Sequence, residues 1–173
     1  MDIKSCVRTI PDWPVEGVMF RDITTLLQDP AAFRETIDRF YDRYKDMAID
    51  KIVGIDARGL IFGAPLAYKM GVGFVPVRKK GKLPHKTAEA TYALEYGESC
   101  VEIHEDAVKQ GERVLIIDDL IATGGTIEAA IKLVERLGGE VVECAFVIDL
   151  PDLKGKEKIK GYNIFALMEF EGE

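Results

Sequence analysis

The sequence predicts an α/β fold, a central parallel sheet flanked by helices, on three observations. Short β-branched runs alternate with segments in which apolar residues recur at helical spacing. The run Val114-Leu115-Ile116-Ile117 is apolar without interruption, the pattern of a strand buried on both faces. A glycine pair and another helical segment follow it, the succession that right-handed crossovers build into such sheets.

Each element follows in chain order. Asp29-Pro30 reads as an N-cap with proline in the first turn, and Phe33, Ile37, Phe40, Tyr41 and Tyr44 predict an amphipathic helix ending near Lys45. Residues 51–57 form a strand closed by Arg58-Gly59. Leu60, Ile61, Ala64, Ala67 and Met70 then predict a helix stopped by Gly71. Residues 73–78 return to strand character, and residues 79–90, polar, basic and without either period, read as a long loop. Residues 92–96 and 100–104 flank a turn at Gly97, as in a hairpin. Residues 113–117 are the central strand, ending in two carboxylates. Thr123-Gly124-Gly125-Thr126 opens a helix whose inner face is Ile127, Ala130, Ile131, Val134 and Leu137, and Gly138-Gly139 ends it. Residues 141–148 and 163–168 supply two further strands. Ligands in such sheets bind beyond the carboxyl ends of the strands, which is where Asp56, Asp118 and Asp119 fall.

Composition narrows the function. A chain of 173 residues, 47% hydrophobic and 31% charged, without repeat or linker, suits one domain with a continuous core. Its net charge of −7 argues against nucleic acid as the main partner, since duplex binding draws on Lys and Arg neutralising phosphates. The N-terminus lacks a basic region followed by an apolar signal core, and no run reaches bilayer-spanning length, so a cytoplasmic location without membrane contact is expected. Cys6, Cys100 and Cys144 show neither Cys-x-x-Cys spacing nor a histidine pattern, and Cys100 and Cys144 are expected as buried thiols in strands.

The most specific segment runs from Val114 through Asp118-Asp119 to Thr126. An apolar strand fixes two adjacent acids, a glycine pair lets backbone approach an anion, and a helix start aims N–H groups and the positive dipole end at it. No lysine follows the glycines, so this is not a Walker A loop. Gly71-Val72-Gly73 lacks the third glycine of a dinucleotide fingerprint and leads into a strand.

On these residues the chain resembles the type I phosphoribosyltransferase family, whose signature is such a strand, Asp-Asp and a Thr-Gly-Gly-Thr loop. Gly17-Val18-Met19-Phe20-Arg21-Asp22-Ile23, Asp56-Ala57-Arg58-Gly59, the segment from Arg78 to Pro84 and Leu94-Glu95-Tyr96-Gly97 extend the resemblance over nearly the whole chain, toward members that act on adenine. Where the family commonly carries serine, this chain has Ala57.

The resemblance implies the type I phosphoribosyltransferase fold over residues 1–173, with base recognition in about 1–30 and a flexible catalytic loop and hairpin in about 79–97. It implies transfer of the phosphoribosyl group of 5-phosphoribosyl 1-pyrophosphate (PRPP) to adenine, giving AMP and pyrophosphate, by a homodimer. Asp118 and Asp119 would hold the ribose hydroxyls, and Ala122, Thr123, Gly124, Gly125 and Thr126 the 5-phosphate. Arg58, Arg78, Lys79 and Lys82 would contact pyrophosphate, with Lys80, His85 and Lys86 solvated. Phe20 would lie on the purine face while the backbone of Met19 and Arg21 reads its edge. Glu95 would handle a proton at N7, with Tyr96 over sugar or base. Mg²⁺ would be bound mainly through substrate oxygens, without dedicated protein ligands. A cis peptide between Asp56 and Ala57 is implied as well. The alternatives are an enzyme for xanthine, hypoxanthine or guanine, and a regulator that senses a nucleotide without chemistry.

Overall fold

The computed structural model of the chain describes residues 1–94 and 96–172. Among them, an N-terminal ribbon pairs β1 (Arg8–Pro11) with β2 (Met19–Asp22), and two helices follow, α1 (Thr24–Gln28) and α2 (Pro30–Tyr44). The main sheet takes β3 (Lys51–Ile55), β4 (Gly73–Lys79), β5 (Thr87–Ala93), β6 (Glu98–His104), β7 (Arg113–Ile121), β8 (Glu140–Asp149) and β9 (Ile164–Glu169). Its order is β5-β6-β4-β3-β7-β8-β9, with α3 (Arg58–Met70) between β3 and β4 and α4 (Gly125–Arg136) between β7 and β8. β4, β3, β7, β8 and β9 run parallel, and the β5–β6 hairpin joins β4 antiparallel.

Alternation along the central strands explains the two-sided core. Leu115 and Ile117 of β7 with Ala145 and Val147 of β8 pack with Phe40, Phe62 and Leu66 of α2 and α3. Val114 and Ile116 with Cys144 and Phe146 face the other way, toward Ile127, Ala130, Ile131 and Val134 of α4. Successive strand residues point to opposite faces, so a strand covered on both sides must be apolar at every position, as β7 is from Val114 to Ile117.

The helices begin and end as the sequence indicates. The Asp29 carboxylate accepts from the N–H groups of Ala31 and Ala32 and caps α2, with Pro30 at the first position. Gly71 ends α3 at φ 71°. At the base of α2, Arg43 and Tyr44 both donate to the buried carboxylate of Glu143 on β8, at 2.8 and 2.5 Å, which ties the helix to the sheet.

Several expectations are corrected. Residues 79–90 are not one long loop, because β5 begins at Thr87 and pairs with β6 through seven consecutive residues. Its inward residues, Ala88 and Ala90, are too small to give a strong apolar signal. Arg58-Gly59 starts α3 rather than closing a strand, and β3 ends at Ile55. β7 does not stop at the carboxylates but carries them within it to Ile121, held there by pairing with β8. Cys144 is buried, and its thiol is pushed up to about 12 by that burial and by Glu143, whereas Cys100 is only half-buried on β6. No helix among the described residues is long and apolar enough to cross a membrane.

Replacing Asp29 with Ala removes the α2 cap and should lower stability by about 1 kcal/mol. In thermal unfolding this is a fall of about 2–4 °C for a chain of this size. An unchanged melting temperature would show that the cap is not stabilising.

Candidate active site

The chain leaves β3 for β4 on one side and returns to β7 on the other, so a crevice opens where the connections diverge. A cleft of about 410 Å³ occupies it, at the carboxyl ends of β3 and β7. Its walls come from four places: residues 55–58, residues 118–127, Lys79 at the end of β4, and Tyr92 with Val101 from the hairpin.

The two acids differ in environment. Asp119 is buried and accepts from Arg58 Nε at 2.6 Å. Asp118 accepts the Asp119 N–H at 2.8 Å, and its pKa is raised well above the ordinary carboxylate value by burial and by the charge of Asp119 beside it. Burial opposes the Arg58 charge, but Asp119 outweighs it, aided by Asp118 and Asp22, and the guanidinium pKa rises. Half of the Arg58 side chain stays exposed, so one cation serves the acids while still facing the cleft. Gly59 makes this approach feasible, because a Cβ there would lie 2.8 Å from the Ile117 carbonyl and 3.0 Å from Asp118 Oδ1. The Asp56–Ala57 peptide before Arg58 is cis.

Opposite the acids lies an anion cradle. Gly124, at φ 86°, turns the chain from β7 into α4, a conformation that side chains rarely adopt. The first N–H to find an acceptor at the start of α4 is that of Glu128, bonded to the Gly124 carbonyl at 3.1 Å. The N–H groups of Gly125, Thr126 and Ile127 precede it, at the positive end of the helix dipole. Tyr92 covers this turn, and a Cβ on Gly125 would meet its ring at 3.1 Å. Burial alone would raise the Tyr92 pKa, but Ser99, Thr126 and the Lys79 charge bring it below the usual phenol value.

The third side is basic. Arg78 Nε donates to Asp56 Oδ2 at 3.1 Å, and Arg78 Nη1 donates to the Lys82 carbonyl at 3.3 Å. Residues 80–86 bridge β4 and β5, and both ends of this loop meet on Glu102 of β6. The Gly81 N–H and the Thr87 hydroxyl donate to the Glu102 carboxylate, which holds its pKa below the usual range. Lys80 pairs with Glu89 at 3.3 Å, both exposed. His85 remains a surface residue, yet it has neighbours that sequence distance conceals: Asp106 at 4.0 Å and the His104 ring, across the hairpin.

The cleft thus brings together Arg58, Lys79, Asp118, Asp119, Ala122, Thr123, Gly124, Gly125 and Thr126. Arg78 stands behind Asp56, Lys82 is exposed on the loop, and Tyr96 is exposed at the hairpin end. Met19, Phe20 and Arg21 lie in β2, outside these walls, with Phe20 edge-on to Trp13 at 4.5 Å between ring centres. The ribbon nevertheless reaches the site through Asp22, whose charge acts on Arg58. Glu95 lies outside the described residues. Two site residues escaped the sequence reading. Tyr92 was legible in principle, because it shares the inward parity of Ala88 and Ala90. Asp22 was not, since its partners, Thr24 nearby and Arg8 on β1, depend on a ribbon that short strands and prolines hide. Paired carboxyls that can bind a sugar diol, a cradle for a phosphate and a cationic wall for a second anion are the chemistry this cleft offers.

A family model for the phosphoribosyl transferase domain matches residues 22–171. An adenine phosphoribosyltransferase of Desulfosudis oleivorans is 78% identical over 173 residues, the whole length of both chains. The crystal structure of adenine phosphoribosyltransferase from Thermoanaerobacter pseudethanolicus superposes with a TM-score of 0.94 at 51% identity, covering 98% of each chain. That of the Saccharomyces cerevisiae enzyme, complexed with an imino-altritol bisphosphate and adenine, superposes with a TM-score of 0.91 at 42% identity and 96% coverage of each.

The raised Asp118 pKa has a consequence for stability. Its carboxyl binds a proton more tightly in the folded chain than in the unfolded one, so the stability that Asp118 contributes is fully present in acid and is lost as pH rises from the ordinary 3.8 through the raised value. Asp118→Asn keeps the acceptor for the Asp119 N–H and removes the ionisation. The variant should therefore melt above the parent at neutral pH, with the difference closing toward pH 4. A variant that melts below the parent at neutral pH would show that the Asp118 charge is not a burden on the fold.

Proposed function

The chain belongs to the phosphoribosyltransferase family, and on that premise we infer that it transfers the phosphoribosyl group of PRPP to adenine, yielding AMP and pyrophosphate, a purine salvage reaction. The observation that carries the reading is the placement of Asp118-Asp119 and the start of α4 in the walls of one cleft, carboxyls for a ribose beside N–H groups for its phosphate. Whole-length identity to enzymes that act on adenine supports the choice of base.

The bond from ribose C1 to the pyrophosphate oxygen breaks and that from C1 to purine N9 forms, with the N9 proton lost. In this reading Asp118 and Asp119 orient the ribose through its hydroxyls, while the N–H groups of residues 125–127 and the hydroxyls of Thr123 and Thr126 hold the 5-phosphate. Fixing both ends of the sugar leaves C1 as the part free to move toward the base. Arg58, Arg78, Lys79 and Lys82 would take up charge on the departing pyrophosphate. Phe20, with the backbone of Met19 and Arg21, would receive the purine, Glu95 would act at N7, and Tyr96 would pack over sugar or base.

The donor set of the cleft is hard carboxylate oxygen, chiefly Asp118 because Asp119 is engaged by Arg58. Such oxygens suit Mg²⁺, which keeps much of its water and needs few protein ligands. Bound to PRPP oxygens, the ion would neutralise charge on the leaving group. The same reading takes the enzyme as a cytoplasmic homodimer, supported by the family resemblance.

The reading is tested by following nucleotide formation from PRPP with adenine and with hypoxanthine. A backbone carbonyl that accepts from the 6-amino group would oppose a 6-oxo group, so adenine should be favoured on the order of a hundredfold. Equal turnover of both bases would move the assignment to an oxopurine enzyme. Glu95→Gln retains shape but cannot exchange a proton. It should lower kcat by about a hundredfold with little change in KM for PRPP, and a variant as fast as the parent would remove Glu95 from the chemistry.

A further inference from the structure

The turn that forms the anion cradle has an underside. After β8 the chain makes two short 3-10 segments, Pro151–Leu153 and Gly155–Ile159, and the second of these lies directly against the turn. The contact is backbone to backbone. A Cβ on Gly124 would lie 2.4 Å from the Gly155 carbonyl oxygen, and a Cβ on Gly155 would lie 2.4 Å from the Ala122 carbonyl oxygen and 2.9 Å from Ile121 Cγ1. Neither obstacle is the far end of a flexible side chain, so a methyl group at Gly155 cannot be placed unless one of the two backbones moves. Gly155 is buried but is not among the cleft walls, so it meets the turn from the side away from any ligand.

What lies behind Gly155 decides which backbone gives way. Ile159 is 1% exposed and packs in the same apolar cluster as Ile121 and Ile127, which flank the turn. Lys156 Nζ stands 2.8 Å from Asp149 Oδ2, and Asp149 is buried at the end of β8, in register with Ile121. The Leu150 N–H donates to the Ile121 carbonyl at 3.1 Å, fixing the start of the segment to the end of β7. Residues 155–159 are therefore held at their end by the packed Ile159 and near their start by the pairing of Lys156 with the buried Asp149. The turn has a glycine at its centre and opens onto the cleft, so it is the part that yields.

We propose that Gly155, anchored by the Lys156–Asp149 ion pair, is a positioning residue for the 5-phosphate: it sets how far the turn of residues 122–124 stands into the cleft, and so where the N–H groups of the cradle point. The proposal rests on the phosphoribosyl transfer reading of that cleft. Hydrogen-bond donors aimed at a phosphate lose effect steeply with displacement, so a shift of several tenths of an ångström matters.

The test compares AMP with adenosine, which differ only in the 5-phosphate, by calorimetric binding to the full-length parent, Gly155→Ala and Lys156→Met. Gly155→Ala should weaken AMP binding between about tenfold and a hundredfold while adenosine binding is unchanged, and KM for PRPP should rise more than that for adenine. Loss of affinity for AMP and adenosine in equal proportion, or for neither, would overturn the proposal. Lys156→Met loosens the anchor without adding bulk and should shift the same ratio in the same direction by a smaller factor. If Gly155→Ala does not fold, an unchanged AMP to adenosine ratio in Lys156→Met overturns the proposal by itself. A parent that forms no AMP from adenine and PRPP defeats the functional reading, and this one with it. A parent that does so beside variants with parental ratios defeats the buttress alone.

Discussion

Two adjacent carboxyl groups inside the carboxyl end of a buried strand repel each other, and the architecture of the cleft depends on how that repulsion is contained. Asp119 shares the parity of Leu115 and Ile117, which places it on the face that α3 covers, and there Arg58 meets it. The pairing needs α3 to start against β7, and the absence of a side chain at Gly59 allows it. Asp118, left without a cation of its own at hydrogen-bonding distance, holds its proton more firmly. The outcome is an ion pair beside a carboxyl of raised pKa, two groups of different character made from identical residues.

The parts of the fold legible in the sequence are those whose signal is local. β7, the glycine turn and α4 announce themselves by an unbroken apolar run, a breaker and a helical stripe within 24 residues, 113–136. Asp29-Pro30 and Gly71 likewise act on their own neighbours. The ribbon was opaque because each strand has four residues, one ends in Pro11, and the pairing is closed by a stretch containing Pro14 and Gly17. The first half of β5 was taken for loop because its inward positions are alanines and its stability comes from pairing with β6. Within the site, residues carried by the motif could be named in advance. Gly155 could not, because what marks it is proximity to the turn across about 30 residues of chain.

The walls of the cleft also differ in how they are held. The cradle side is continuous with the core, through Ile121 and Ile127 on either side of the turn and Ile159 behind it. The basic side is carried on the end of β4 and the loop after it, near the sheet edge, where the hairpin meets β4 through Arg78 and Lys79 in register with Glu102 and Val101, and through the Lys80 N–H on the Cys100 carbonyl. One wall is therefore a fixed template, and the other is attached along a short seam.

That seam gives Glu102 a significance beyond its hydrogen bonds. With Gly81 and Thr87 gathered on one carboxylate, the loop's ends are brought together, and the entropy of closing it is lost on folding. The residues between are tied as well: the Lys82 N–H donates to the Lys79 carbonyl at 3.2 Å, the His85 N–H to His104 Nε2 at 3.3 Å, and the Lys86 carbonyl accepts from the Glu105 N–H at 2.9 Å. Arg78 and Lys79 belong to β4, so Lys82 is the cation of this group that the loop itself carries. Any inward shift of Lys82 would therefore cost hydrogen bonds to β4 and the hairpin, so the loop is a clasp already fastened at several points.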